Sequence, residues 1–131
     1  MNTKKMLGLA VAIIALNFGI LADAYAGIDV KCEARSGRSK ASVDGFGLAN
    51  GLYRARVTSG TASVWSKNLL RPTAGEVQFD FDSNQADVNA GATKISSTFI
   101  KNASLTGRIY LRNANGTYSQ KGSETVDCRV K

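Results

Sequence analysis

Two cysteines, Cys32 and Cys128, stand close to the two ends of whatever this chain folds into, and both sit in alternating segments. Ile28, Val30, Cys32 and Ala34 share one face of the first segment, opposed by Asp29, Lys31, Glu33 and Arg35. Val126, Cys128 and Val130 share a face of the last, opposed by Asp127, Arg129 and Lys131. Period-two alternation is the signature of a half-buried strand. Both sulfurs are therefore expected on core faces, and a bond between them requires the first and last strands to be neighbours. Such a bond closes a loop of 96 residues. In the chain-entropy account this restricts the unfolded state by about 4–5 kcal/mol.

A disulfide needs an oxidising compartment, and the N-terminus supplies the route to one. Lys4 and Lys5 precede a nearly unbroken apolar run from Met6 to Leu21, and Ala24-Tyr25-Ala26 places small residues at −3 and −1 of a cleavage site. That layout is a secretory signal peptide over 1–26, read as a helix removed on export. The run falls short of the roughly 20 apolar residues of a membrane span, so no span is expected once the leader is gone. The expected product is one domain, 27–131, in the periplasm or outside the cell.

The outer charges bear on strand direction. With Cys32 level with Cys128, an antiparallel pairing sets Lys31 against Arg129 and Glu33 against Asp127, both repulsive. A parallel pairing sets Lys31 against Asp127 and Glu33 against Arg129, both attractive. Each pair is worth ~0.2–1 kcal/mol, which favours parallel.

Between the cysteines the chain reads as strands throughout. Tyr53, Ala55 and Val57 alternate with Arg54, Arg56 and Thr58, and Val77, Phe79 and Phe81 alternate with Gln78, Asp80 and Asp82. Residues 83–94 read as a loop with a helical turn near Ala86–Ala90, and 94–100 fit either a turn or a strand. Asn115-Gly116 favours a two-residue type I′ hairpin turn. That turn would pair Leu105 with Val126, Ile109 with Gly122 and Leu111 with Gln120, and would set Lys121 opposite Tyr110. Gln120 and Glu124 would then share the inner face, which asks for a bulge or bend near Gly122. About seven or eight short strands with no long amphipathic helix point to an all-β fold, a small immunoglobulin-like antiparallel β-sandwich closed by Cys32–Cys128.

The chain has no histidine, which excludes Ser-His-Asp and Cys-His catalysis and His-ligated metals. Serines lack that activating base, and Asp80 and Asp82 on one sheet face make a poor glycosidase pair. No enzymatic activity and no cofactor are expected. Asp80-Phe81-Asp82-Ser83-Asn84 opens like a calcium loop, but Gln85 and Gly91 stand where an EF-hand needs Gly and Glu. A looser calcium site from Asp82, Asn84 and Asp87 is the remaining metal candidate, against a plain Asx-rich turn.

The surplus of charge is basic, +7 with 17 Lys+Arg against 10 Asp+Glu. Since the leader holds only Lys4, Lys5 and Asp23, the excess belongs almost wholly to 27–131. Arg108, Tyr110 and Arg112 fall on one outer face with Lys121 opposite Tyr110, and Arg54 and Arg56 form a similar pair on another strand. Guanidinium groups beside an aromatic ring suit anionic groups. The expected partners are an anionic glycan or envelope polymer, or an acidic protein. Nucleic acid is disfavoured because acids are interspersed and no RNA-type stacking motif occurs. The function expected is an exported binding module. The alternative is a structural subunit, a homo-oligomer assembled at the surface by strand addition.

Overall fold

The computed structural model describes residues 26–131. The leader expected over 1–26 lies outside the described residues but for Ala26. Nine strands and one short helix follow in the order β1 (Gly27–Arg35), β2 (Arg38–Phe46), β3 (Tyr53–Ser59), β4 (Ala62–Trp65), β5 (Val77–Asp82), α1 (Gln85–Asn89), β6 (Thr93–Lys94), β7 (Ser104–Arg112), β8 (Tyr118–Asp127) and β9 (Arg129–Val130). They form a five-stranded sheet ordered β6-β5-β2-β1-β9 and a four-stranded sheet ordered β4-β3-β7-β8. The two-residue strands β6 and β9 carry the count beyond the seven or eight expected.

The alternations read from the sequence become the core between the sheets. Val30, Cys32, Val43, Val77, Phe79 and Phe81 from one sheet are buried with Tyr53, Ala55, Val57, Leu105 and Ile109 from the other. Burying a side chain of the Val, Leu, Ile or Phe type is worth ~1.5–3 kcal/mol, so these positions decide which face of each strand turns inward. Gly107 on β7 lets the sheets close up: a Cβ there would lie 2.7 Å from one methyl of Val30 and 2.9 Å from one of Val43.

Cys32 and Cys128 are bonded, with Cα atoms 4.7 Å apart. β9 pairs with β1 in parallel, Glu33 beside Arg129 and Ala34 beside Val130, the register expected from the outer charges. The ion pairs there are different ones. Glu33 is held by Arg35 and by Lys131 at 3.5 Å, and Lys31 lies 3.2 Å from Asp29. Val130, expected on the core face, is 70% exposed, on a strand at the edge of its sheet.

The last hairpin reaches its expected register by a different path. Leu105 pairs with Val126 and Ile109 with Gly122, but Leu111 pairs with Ser119 and Tyr110 with Gln120. The turn is a three-residue loop, 114–116, closed by Asn113 N–H to Thr117 C=O at 2.7 Å, and Gly116 takes the positive φ of +87°. Asn115 does not adopt the left-handed conformation a type I′ turn requires. A bulge between Ile109 and Tyr110 offsets the extra loop residue, so the two registers coincide beyond it. Lys121 is the residue left over. It does not face Tyr110, and Gln120 is exposed instead of facing inward. Glu124 does turn inward, and its Oε1 accepts the Val30 N–H at 2.8 Å, joining β8 to the other sheet.

Candidate arginine and aromatic face

The outer face of the four-stranded sheet collects the arginines the sequence placed on two separate strands. β3 and β7 are antiparallel neighbours, with Arg54 opposite Tyr110 and Arg56 opposite Arg108. Arg112 follows two residues along β7, opposite Tyr118 of β8. β4 adds Trp65 opposite Arg56. Trp65 is the hub of the face. Its ring centroid lies 4.8 Å from that of Tyr110 and 5.6 Å from that of Tyr118, both in tilted contact. The guanidinium carbon of Arg54 lies 5.0 Å from the Trp65 centroid and 5.8 Å from that of Tyr118, and Arg56 lies 5.2 Å from Trp65. Each such contact is worth ~0.5–1 kcal/mol at an exposed site, enough to bias where a long side chain rests.

Hydrogen bonds aim the same two groups. Arg54 Nε donates to the Ser66 carbonyl at 3.0 Å, and Arg56 Nε donates to Ser63 Oγ at 2.7 Å. With Nε committed, the terminal nitrogens are the donors left to meet a bidentate anion. Among the described residues, none of Arg54, Arg56, Arg108 and Arg112 makes an ion pair. Tyr110 is half-buried beneath its neighbours, and Lys121 belongs to the bulge at the edge of the sheet.

Trp65 and Tyr118 were not singled out in the sequence. Trp65 could have been. Ser59-Gly60 breaks a strand, and a two-residue turn at Gly60-Thr61 sets Ser59 against Ala62 and hence Arg56 against Trp65, as observed. Tyr118 gave no such signal, because its partner depends on the loop length and the bulge.

The acidic loop proposed for calcium is organised around a guanidinium. Asp82, expected on the outer face, is 3% exposed. Arg38 Nε and Nη2 donate to its two oxygens at 3.1 and 2.8 Å, and the same Nη2 donates to Asp87 at 2.9 Å. Asn84 caps α1, its Oδ1 accepting the N–H groups of Ala86 and Asp87. Arg38 is thus the cation that these carboxylates hold. Burial pushes the Asp82 carboxyl up, but the Arg38 hydrogen bonds, the Asn84 N–H and the Arg38 charge together keep it below the usual carboxylate range. Among the described residues no group of three or more His, Cys, Asp or Glu converges as metal ligands would.

A cleft of about 430 Å³ runs along β5 and the 66–70 segment, and its charged lining is Lys40 with Asp80, Asp82 and Asp87, the last two paired with Arg38. That mostly acidic lining suits an anion poorly.

No family model matches the sequence, and no curated protein matches it. Among solved structures the chain is similar to wild-type OgpA from Akkermansia muciniphila, at a TM-score of 0.37 and 12% identity, over 79% of this chain and 27% of that one. The chain thus spans about a quarter of that protein's length. Among the described residues no helix is long and apolar enough to cross a membrane.

Proposed function

We propose that this protein is an exported, non-enzymatic β-sandwich module that engages an anionic polymer, such as an acidic or sulfated glycan or a phosphate-bearing envelope polymer, through Arg54, Arg56, Arg108 and Arg112. The supporting observation is that four arginines without ion-pair partners share one sheet face, two of them held against Trp65. Along a strand, same-face residues recur every ~6.6 Å, and neighbouring strands lie ~4.8 Å apart. A grid of cations at that spacing suits a ligand that repeats its anions better than one that carries a single charge. The leader over 1–26 accounts for export to the periplasm or beyond, and the parallel β1–β9 pair in an otherwise mostly antiparallel sandwich fits the immunoglobulin-like reading of the fold.

Trp65 is the only tryptophan, so its fluorescence reports on this face directly. Titrating the purified protein with heparin, polygalacturonate and polyphosphate is expected to change that emission at low salt, with neutral dextran inert. Raising the salt should weaken binding, as exposed charges are screened within ~8–10 Å at 0.1–0.15 M. An Arg54→Gln/Arg108→Gln variant should lose about tenfold or more in affinity. Equal binding of dextran, or silence toward all three polyanions at low salt, would refute the reading.

A second reading, assembly by strand addition, draws on one observation. β6 covers only Phe81 and Asp82, so among the described residues β5 has no strand partner on that side over Val77–Asp80. Assemblies built that way should resist salt, since backbone hydrogen bonds hold them.

A further inference from the structure

One end of the outer face of the five-stranded sheet is acidic, whereas the outer face of the four-stranded sheet carries the arginines. On the five-stranded sheet Asp44 stands between Asp29 of β1 and Gln78 of β5, with Lys31, Ser42 and Asp80 in the next row. Glu76 leads into β5 beside them and, like Asp29 and Asp80, is exposed. Four carboxylates therefore gather at one end of this face around Lys31, which is drawn to Asp29, with Lys40 diagonal to Asp80 on the far side. At the other end the acids are already satisfied, Glu33 by Arg35 and Lys131, and Asp82 by Arg38. Asp44 is the least satisfied of the four. One of its oxygens is buried without a hydrogen-bond partner. Burial raises its carboxyl above the usual range; Lys31 pulls the other way, and Asp29, Asp80 and Glu76 push it up further. Asp29 has Lys31 and Asp80 accepts from Gln78 Nε2 at 3.3 Å, so this end holds a surplus of acids over cations, and the arginines without ion pairs among the described residues lie on the opposite face.

We propose that the acidic end of the five-stranded sheet is a docking surface for the arginine and aromatic face of a second copy of this chain. The inference shares the arginines with the reading above but does not depend on a polymer ligand. Two charge patterns of opposite sign steer and orient an encounter that net charge alone would oppose. Because the patches lie on opposite faces, the contact is heterologous: each docked copy leaves one patch free, and the chain of copies extends unless the rotation closes it into a ring. An anionic polymer on the arginines competes with the acidic face for the same donors and breaks such a chain apart.

Sedimentation velocity on the purified protein at 20 and 300 mM NaCl tests this. At 20 mM the weight-average mass should climb with concentration, and it should return to that of a monomer at 300 mM. The acidic-face variant Asp29→Asn/Glu76→Gln/Asp80→Asn and the arginine-face variant Arg54→Gln/Arg108→Gln should each weaken self-association at least tenfold. Mixed together, each supplies the face the other lacks, so they should form a one-to-one pair that grows no further. All five positions lie on outer faces, and circular dichroism verifies that both variants fold. A wild-type protein that stays monomeric at 20 mM, a mixture that fails to pair, or association that survives in either variant overturns the proposal. The acidic-face variant keeps its arginines, so polymer binding by it separates failure here from failure of the polymer reading.

Discussion

At the scale of single residues, two aspartates on the same sheet show how partners set the sign of a contribution to stability. Asp82 is buried with Arg38 bound to both oxygens, and its carboxyl is held below the ordinary range. Its stabilisation is present above the unfolded value of about 3.9 and is lost as pH falls through the lower folded value. Asp44 is the reverse case. Its raised pKa means that folding favours the protonated form, so what it lends is whole below about pH 3.9 and drains away as pH climbs through the folded value. At pH 7 the ionised Asp44 is therefore a cost, left with one buried oxygen unpaired. Asp44→Asn is expected to raise Tm by a few degrees at pH 7, with the gain fading as the pH falls through the folded value and gone below about 4. Asp82→Asn is expected to lower Tm at pH 7, and that loss too should shrink in acid. Thermal melts of both variants across pH 3–7, in salt high enough to suppress any association, check the two signs together. A destabilised Asp44→Asn at neutral pH would show that the carboxylate has a partner worth keeping.

At the scale of elements, the sheets meet where Gly107 faces Val30 and Val43. A Cβ at Gly107 cannot be relieved by moving a flexible chain end, because both neighbours are short, branched and buried. Gly107→Ala is expected to cost about 1–3 kcal/mol, the usual range for overpacking a filled core. The urea midpoint should fall with the slope unchanged, whereas Ser123→Ala on the outer face of β8 should leave it in place. The strands themselves were legible in the sequence, because burial on one face writes a period of two into β1, β3 and β5. The direction of β1 against β9 was legible from charge, although Glu33 found Lys131 and Arg35 in place of Arg129. The β7–β8 register was right for Leu105 and Ile109 through compensation: the loop is one residue longer than its Asn-Gly pair implies, and the Lys121 bulge absorbs the difference. What stayed hidden depends on contacts between distant segments. Arg38 reaches Asp82 only because β2 and β5 are neighbours, and neither strand carries a mark of that adjacency. Half of the candidate site could be read from the parity of Arg54, Arg56, Arg108 and Arg112, but their union into one face needed β3 to lie beside β7.

At the scale of the whole molecule, the disulfide does what the hydrogen bonds of β9 cannot. β9 meets β1 over only two residue pairs, backed by Lys131 N–H to Ala34 C=O at 3.0 Å and the Glu33–Lys131 ion pair, which is partly exposed. Exposed pairs of that kind contribute ~0–1 kcal/mol. The bond between Cys32 and Cys128, spanning 96 residues, restricts the unfolded chain over nearly the whole described domain. Loss of a native disulfide from a small exported domain typically costs 2–5 kcal/mol, roughly. The Cys32→Ala/Cys128→Ala variant is therefore expected to unfold at clearly lower urea, with the native sheets intact before the transition. Hydrogen exchange should also reveal a local effect: amides of 129–131 lose protection outright, while those of β3 and β7 in the four-stranded sheet fall only by the global loss. Freed of β9, the Glu33–Arg35 end of β1 becomes an open edge, and exposed edges recruit strands from other molecules. The variant should then form aggregates that salt does not dissolve, unlike the salt-sensitive chains expected of the charged faces. An unchanged urea midpoint with full protection at 129–131 would mean that β9 holds by itself and that the bond adds nothing the sandwich lacks.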